Sequence, residues 1–218
     1  MKKAPVFLLL AFICILAACS HKKNEGVIVY KLAYTLPDSL RSYGAYLPTE
    51  AIIYFKGDSA VNIQKTEEES TTVITYKPTD FMQVLLKSPN KSYVIDFDKK
   101  DQAEERASMP TFNSIPGKGA KAMAGYPAKQ YTLVDKMSLD STEAWFTHAI
   151  VIPPSSFTTA LDTALGVPLM FSINQNGIIT KATVKEIKFE PVPEGIFTAP
   201  AGYQHLTPTQ LREMPVDN

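Results

Sequence analysis

The sequence predicts a mainly β fold of the α+β kind: a curved antiparallel sheet or unclosed β-barrel of about 9–11 strands with one or two covering helices. Three observations point there. Apolar residues alternate with period two along most of the chain, turn dipeptides separate the alternating runs, and the last run changes phase in its middle.

The first run is "GVIVYKLAYT", where Ile28, Tyr30, Leu32 and Tyr34 share one face. "TEAIIYFKGDSAVNIQK" reads as two strands joined at Gly57-Asp58, a two-residue hairpin turn. "STTVITY", "DFMQVLLKS" and "KSYVIDFD" continue the series with Pro89-Asn90 as a turn, and "AKQYTLVD", "STEAWFTH" and "PLMFSIN" follow further along. Asn176-Gly177 then leads into "GIITKATVKEIKF". Sequential strands of this length make a meander the expected topology.

In that last strand Thr180, Ala182 and Val184 lie on one face, yet Ile187 and Phe189 are apolar at odd positions. A β-bulge near Lys185-Glu186 accounts for the shift, because one extra residue re-aims every side chain after it and bends the sheet.

Two segments read as helical. "SSFTTALDTALG" follows Pro153-Pro154, offers Ser155 or Ser156 as a cap, and stops at Gly166. It sets Phe157, Ala160, Leu161, Ala164 and Leu165 on one stripe, so a helix over 155–165 should lie on the concave face of the sheet. "DKKDQAEERAS" reads as a charged helix or turn, and "MPTFNSIPGKGA" after it as a loop rich in Pro and Gly. That loop halves the chain; neither half shows a self-sufficient pattern, which favours one domain over two.

The N-terminus speaks to location. Lys2 and Lys3 precede an uncharged apolar run from Val6 to Leu16, the pattern of a secretory signal. The run is shorter than the roughly 20 apolar residues that cross a bilayer. Leu16-Ala17-Ala18-Cys19 resembles the lipobox of bacterial lipoproteins, in which the cysteine is acylated and the chain is cut before it. The expected organisation is a signal at 1–18, a lipidated tether at 19–25, one β domain at 26–204 and a polar tail at 205–218. The alternative is plain secretion with a free Cys19. Two or more acyl chains make a stable anchor where one would not. No acidic run follows Cys19, which favours an outer-membrane protein facing the periplasm over one displayed at the cell surface.

Composition excludes several classes. The chain holds 2 Cys, and cleavage would discard Cys14, which rules out a disulfide framework or a cysteine metal site in the mature form. With 22 basic and 22 acidic residues there is no nucleic-acid footprint. Of the 3 His, His21 lies in the tether and His205 in the tail, leaving His148 as a lone candidate base. No Gly-x-Ser-x-Gly and no paired-His zinc helix is present. Asp96 and Asp98 begin like a calcium loop, but Lys100 and Asp101 stand where a ligand and the turn glycine belong. The expectation is a protein that is no enzyme and needs no cofactor or metal.

The order "AMAGYPAKQYTLVD", "STEAWFTHAI", "ALGVPLMFSI" and "GIITKATVKEIKFEPVPEGIFTAPAGYQ" resembles the GLPGLI-type envelope domains, themselves similar to the lipoprotein carriers LolA and LolB. The features are Gly125 and Lys129 before an aromatic strand, Trp145, Gly166-x-Pro168-Leu169, and Phe197-x-x-Pro200-x-Gly202-Tyr203, over about Gly26 to Gln204. The resemblance implies an unclosed barrel whose helices plug a cavity for acyl chains. Tyr131, Trp145, Phe146, Phe157, Leu161, Leu165, Phe171 and Ile173 are the candidate ligand-binding residues, and Cys19 the lipid attachment site. Partners would be the membrane, through the N-terminal acyl chains, a hydrophobic ligand and an envelope protein. The competing expectation is a structural or partner-binding lipoprotein whose sheet is filled by its own core.

Overall fold

A computed structural model describes residues 24–214, so Cys19 and its expected acylation lie outside the described residues. Among the described residues twelve strands form one unclosed sheet, one more than the upper expectation. They are β1 (Glu25–Thr35), β2 (Glu50–Lys56), β3 (Ser59–Lys65), β4 (Ser70–Tyr76), β5 (Phe81–Lys87), β6 (Ser92–Phe97), β7 (Phe112–Met123), β8 (Tyr126–Asp135), β9 (Ser141–Thr147), β10 (Val167–Gln175), β11 (Ile178–Lys188) and β12 (Gln204–Leu206). Helix α1 (Lys99–Ser108) and helix α2 (Pro208–Glu213) complete the frame.

The spatial order is β12-β6-β5-β4-β3-β2-β1-β11-β10-β9-β8-β7. Two meanders are thus joined where β1 pairs with β11, and the short β12 adds the one parallel ladder, on β6. Flat, the ten intervals from β6 to β7 would span about 48 Å. The link from Asp98 to Thr111, ten of its residues helical, reaches only about 30 Å. The sheet therefore bends to bring its two edges together.

The bend has a local cause at the expected place. Val29 pairs with Glu186 and Tyr30 with Val184, which leaves Lys185 as the extra residue of a bulge. Ala182 and Val184 before it and Ile187 after it consequently face the same side as Leu32, Tyr30 and Ile28. We call this side, which continues through Ile53 of β2 and Phe171 of β10, the inner face.

The largest core cluster gathers on Ile28, Tyr30, Leu133, Phe146, Leu169 and Phe171. A second, Val61, Ile74, Leu85 and Val94, lies on the outer face and is covered by Ile196, Phe197, Ala199 and Tyr203 from the segment after β11. A third joins Val84, Ile95 and Phe97 to Leu206 and Leu211 of the C-terminal elements.

Three expectations need correction. The segment 155–165 is two short 3-10 turns, Ser156–Thr158 and Thr163–Leu165, and not one helix. Ser155 caps the first, as expected, but Asp162 caps a second through a bond from the Ala164 N–H. The Thr158 and Thr159 hydroxyls both donate to the Ser155 carbonyl, the acceptor that a continuing helix would use.

The expected loop "MPTFNSIPGKGA" is largely strand: Phe112–Met123 forms the edge strand β7. A proline is tolerated on an edge, and the three residues Gly117 to Gly119 bulge opposite Gln130. The expected polar tail is also structured. His205 lies in β12, and α2 starts from a capping box between Thr207 and Gln210 with Pro208 in its first turn. The charged helix α1 forms as one of the two readings had it, with its own capping box at Asp98 and Asp101.

Candidate functional site

Between the end of β9 and the start of β10 the chain runs 148–166 across the inner face. The first half of this segment, Ile150-Val151-Ile152-Pro153-Pro154, is apolar but cannot pair as a strand because the two prolines lack donors. The second half is held down by Phe157. Its ring lies 5.2 Å from that of Tyr30 and 5.5 Å from that of Phe171, both tilted. Tyr30 is wholly buried and donates its hydroxyl to the Pro168 carbonyl at 2.8 Å, fastening β1 to the start of β10. Burial pushes its ionisation far up, so it stays a neutral donor.

Under this segment lies a cavity of about 320 Å³. Ile28, Tyr30, Ile53, Ile150, Leu161 and Val167 supply its apolar lining, while Lys77, His148 and Asp162 add polar groups. All three of these polar side chains are exposed, which puts them at the mouth. Ser155, Thr158 and Thr163 also line it, Ser155 itself buried, so the apolar wall carries hydroxyl groups as well as the polar groups at the mouth, a mixture that suits a small-molecule site. Asn62, buried on the inner face beside Ile53, donates to the Ser156 hydroxyl at 3.4 Å while its Oδ1 has no partner.

The structure separates the expected ligand-binding residues. Leu161 alone lines the cavity. Phe157 and Phe171 pack on each other outside its lining, and Tyr131 meets Phe146 edge-on at 5.6 Å. Leu165 and Ile173 are half-buried against the same core.

Trp145 is on the other face: its ladder partners are Gln130 and Met170, whereas its neighbour Phe146 pairs with Lys129 and Pro168. There the indole N–H donates to Glu143 at 2.6 Å, Gln130 donates to the same carboxylate at 2.8 Å, and Lys121 Nζ sits 3.8 Å over the ring. Gly119 approaches so closely that a Cβ there would be 2.5 Å from Gln130 Oε1. The Trp145 and Gln130 bonds hold the Glu143 carboxyl below the usual carboxylate range.

Sequence reading missed Ile28, Ile53, Lys77 and the run 150–155 as lining residues. The available signal was an apolar run closed by two prolines directly after a strand. Among the described residues no group of His, Cys, Asp and Glu could hold a metal ion, and no helix is long and apolar enough to cross a membrane.

No family model matches the chain, and no curated protein matches it. A solved structure described as PNGF-II in the C2 space group aligns with 84% of this chain and 30% of its own, at 13% identity and a TM-score of 0.47. A likeness so loose bears on neither fold nor activity.

Proposed function

We propose that this chain is a lipid-anchored envelope protein that holds an apolar ligand, such as an acyl chain, between the inner face of its sheet and the segment 148–166. The cavity carries this reading: about 320 Å³, walled by Ile28, Ile53, Ile150, Leu161 and Val167. An acyl chain entering it gains about 25 cal/mol per Å² of apolar surface removed from water, with no buried charge required. Membrane attachment through Cys19, on the side facing the periplasm, would keep lipid at high effective concentration. The family resemblance to GLPGLI-type domains and lipoprotein carriers belongs to the same proposal, and a role as carrier or sensor rather than enzyme goes with it.

Titration of the soluble domain, begun at Asn24, with a fluorescent fatty acid tests the reading. Saturable binding that Thr163→Trp, at the exposed cavity rim, abolishes is the expected result. A folded domain that binds no such probe would remove it. The packed aromatic set Tyr131, Phe146, Phe157 and Phe171 favours a second reading, a filled core in a partner-binding lipoprotein. Exposed Tyr43, Tyr46, Met137 and Leu139 would then be the contact surface.

A further inference from the structure

The position of the tether says which end of the sheet meets the membrane. The Asn24 carbonyl accepts from the Gly57 N–H at 2.8 Å, and the Glu25 carboxylate accepts from the Val192 N–H at 2.8 Å and from Lys56 at 3.1 Å. These bonds fix where the N-terminal segment leaves the sheet. Strand directions bring four features to that same end. They are the Gly57-Asp58 turn, the link from Tyr76 to Phe81, the segment 148–166 and the end of β11.

Tyr76 and Phe81 are ladder partners at the rim and both are exposed. Lys77 follows Tyr76 and lines the cavity together with Val151, whose side chain is 84% exposed. The cavity mouth and three exposed apolar side chains thus share the end at which the tether begins.

Exposure alone would not choose this end, since Met137 is 91% exposed at the other. Reach does. The chain from Cys19 to Asn24 extends at most about 20 Å, whereas β1 alone runs about 36 Å away from the exit point. An anchor at Cys19 therefore keeps the tether end against the bilayer and an upright sheet's far end out of it.

We propose that the end bearing Tyr76, Phe81 and Val151 rests on the bilayer that holds the anchor, with the cavity mouth opening onto lipid. This orientation rests on the lipid-anchor reading, and it implies that ligand passes between cavity and membrane without crossing water. The lipid surface is contacted by apolar and aromatic side chains at interfacial depth, with Lys77 beside the head groups.

The test uses the acylated protein, in which Cys19 carries lipid and a single introduced thiol is free for labelling. Val151→Cys, Phe81→Cys and Leu139→Cys are each coupled to a fluorophore. Each is then reconstituted in phosphatidylethanolamine–phosphatidylglycerol vesicles containing spin-labelled lipid. Labels at 151 and 81 should lose fluorescence to the quencher while the label at 139 does not. Quenching at 139 as strong as at 151, or none at 151 and 81 in protein that floats with the vesicles, overturns the orientation alone. Protein that carries no lipid and does not float overturns the anchor reading, and the orientation with it.

Discussion

Replacing Leu161 with alanine removes three carbons from a side chain that is 6% exposed and forms part of the cavity wall. At about 0.8 kcal/mol per methylene the lost transfer term is about 2.4 kcal/mol. Leu→Ala changes in closed cores cost about 2–5 kcal/mol once the new void is included. Leu161 already borders open space, so its loss enlarges an existing hollow, and a cost at the low end, about 2–3 kcal/mol, follows. For a chain of this size that lowers Tm by roughly 4–12 °C. Urea denaturation of the domain from Asn24, followed by circular dichroism, reads the stability. The same variant should bind bulkier fluorescent acyl probes better than the parent does, because the hollow has grown. A destabilisation below about 1 kcal/mol with unchanged probe binding would refute the placement of Leu161 on a buried cavity wall.

Other perturbations test the frame. Deleting Lys185 removes the bulge residue while Val184, Glu186 and Ile187 still pair in phase with Tyr30, Val29 and Ile28, so the domain should fold with a less bent sheet and weaker probe binding; Lys185→Ala, which loses only an exposed contact to Glu50 at 2.7 Å, should change stability by less than about 1 kcal/mol in the same urea assay. Gly166→Ala places a Cβ 2.3 Å from the Thr147 carbonyl oxygen at a φ of +92°, so it should displace the segment 148–166 and weaken probe binding more than it disturbs the β1–β6 half, as amide exchange would report. Because the fold lowers the Glu143 pKa, the carboxylate's bonds contribute stability at neutral pH that is lost as pH falls through the lowered value. Fluorescence of Trp145, the single tryptophan, should therefore titrate with a midpoint below the ordinary glutamate value of about 4.3, and Glu143→Gln should abolish that transition. Cys19→Ser should move the full-length protein from the membrane to the soluble fraction on cell fractionation.

The Gly57-Asp58 hairpin and the bulge at Lys185 were legible because each shows in the local pattern of turn residues and alternating side chains, whereas the pairing of β1 with β11, which splits the expected meander in two, is a long-range contact that this pattern does not record. The 155–165 turns were misread for a physical reason. An apolar stripe at helical spacing is compatible with two separate 3-10 turns, and the Thr hydroxyls that divert the Ser155 carbonyl leave no mark on the stripe. β7 was hidden because an edge strand accepts Pro116 and two glycines that a central strand would not. The C-terminal helix could have been found, since Thr207-Pro208-x-Gln210 is a capping box with its proline in place. Trp145 and Phe146, adjacent in one strand, could not both face a single cavity, a constraint that period two already imposes. What the sequence does not encode locally is the cavity itself. It depends on how a non-repetitive segment, 148–166, lies over β1 and β2, which are remote from it in the chain.

In the proposed working protein an apolar ligand occupies the space under that segment. Native mass spectrometry of the domain from Asn24, secreted to the periplasm and purified without detergent, tests it most directly. An adduct of one acyl-bearing lipid per chain is expected, removed by organic extraction and missing from Thr163→Trp. A bare protein mass, in a sample that also fails to take up added fatty acid, would contradict it.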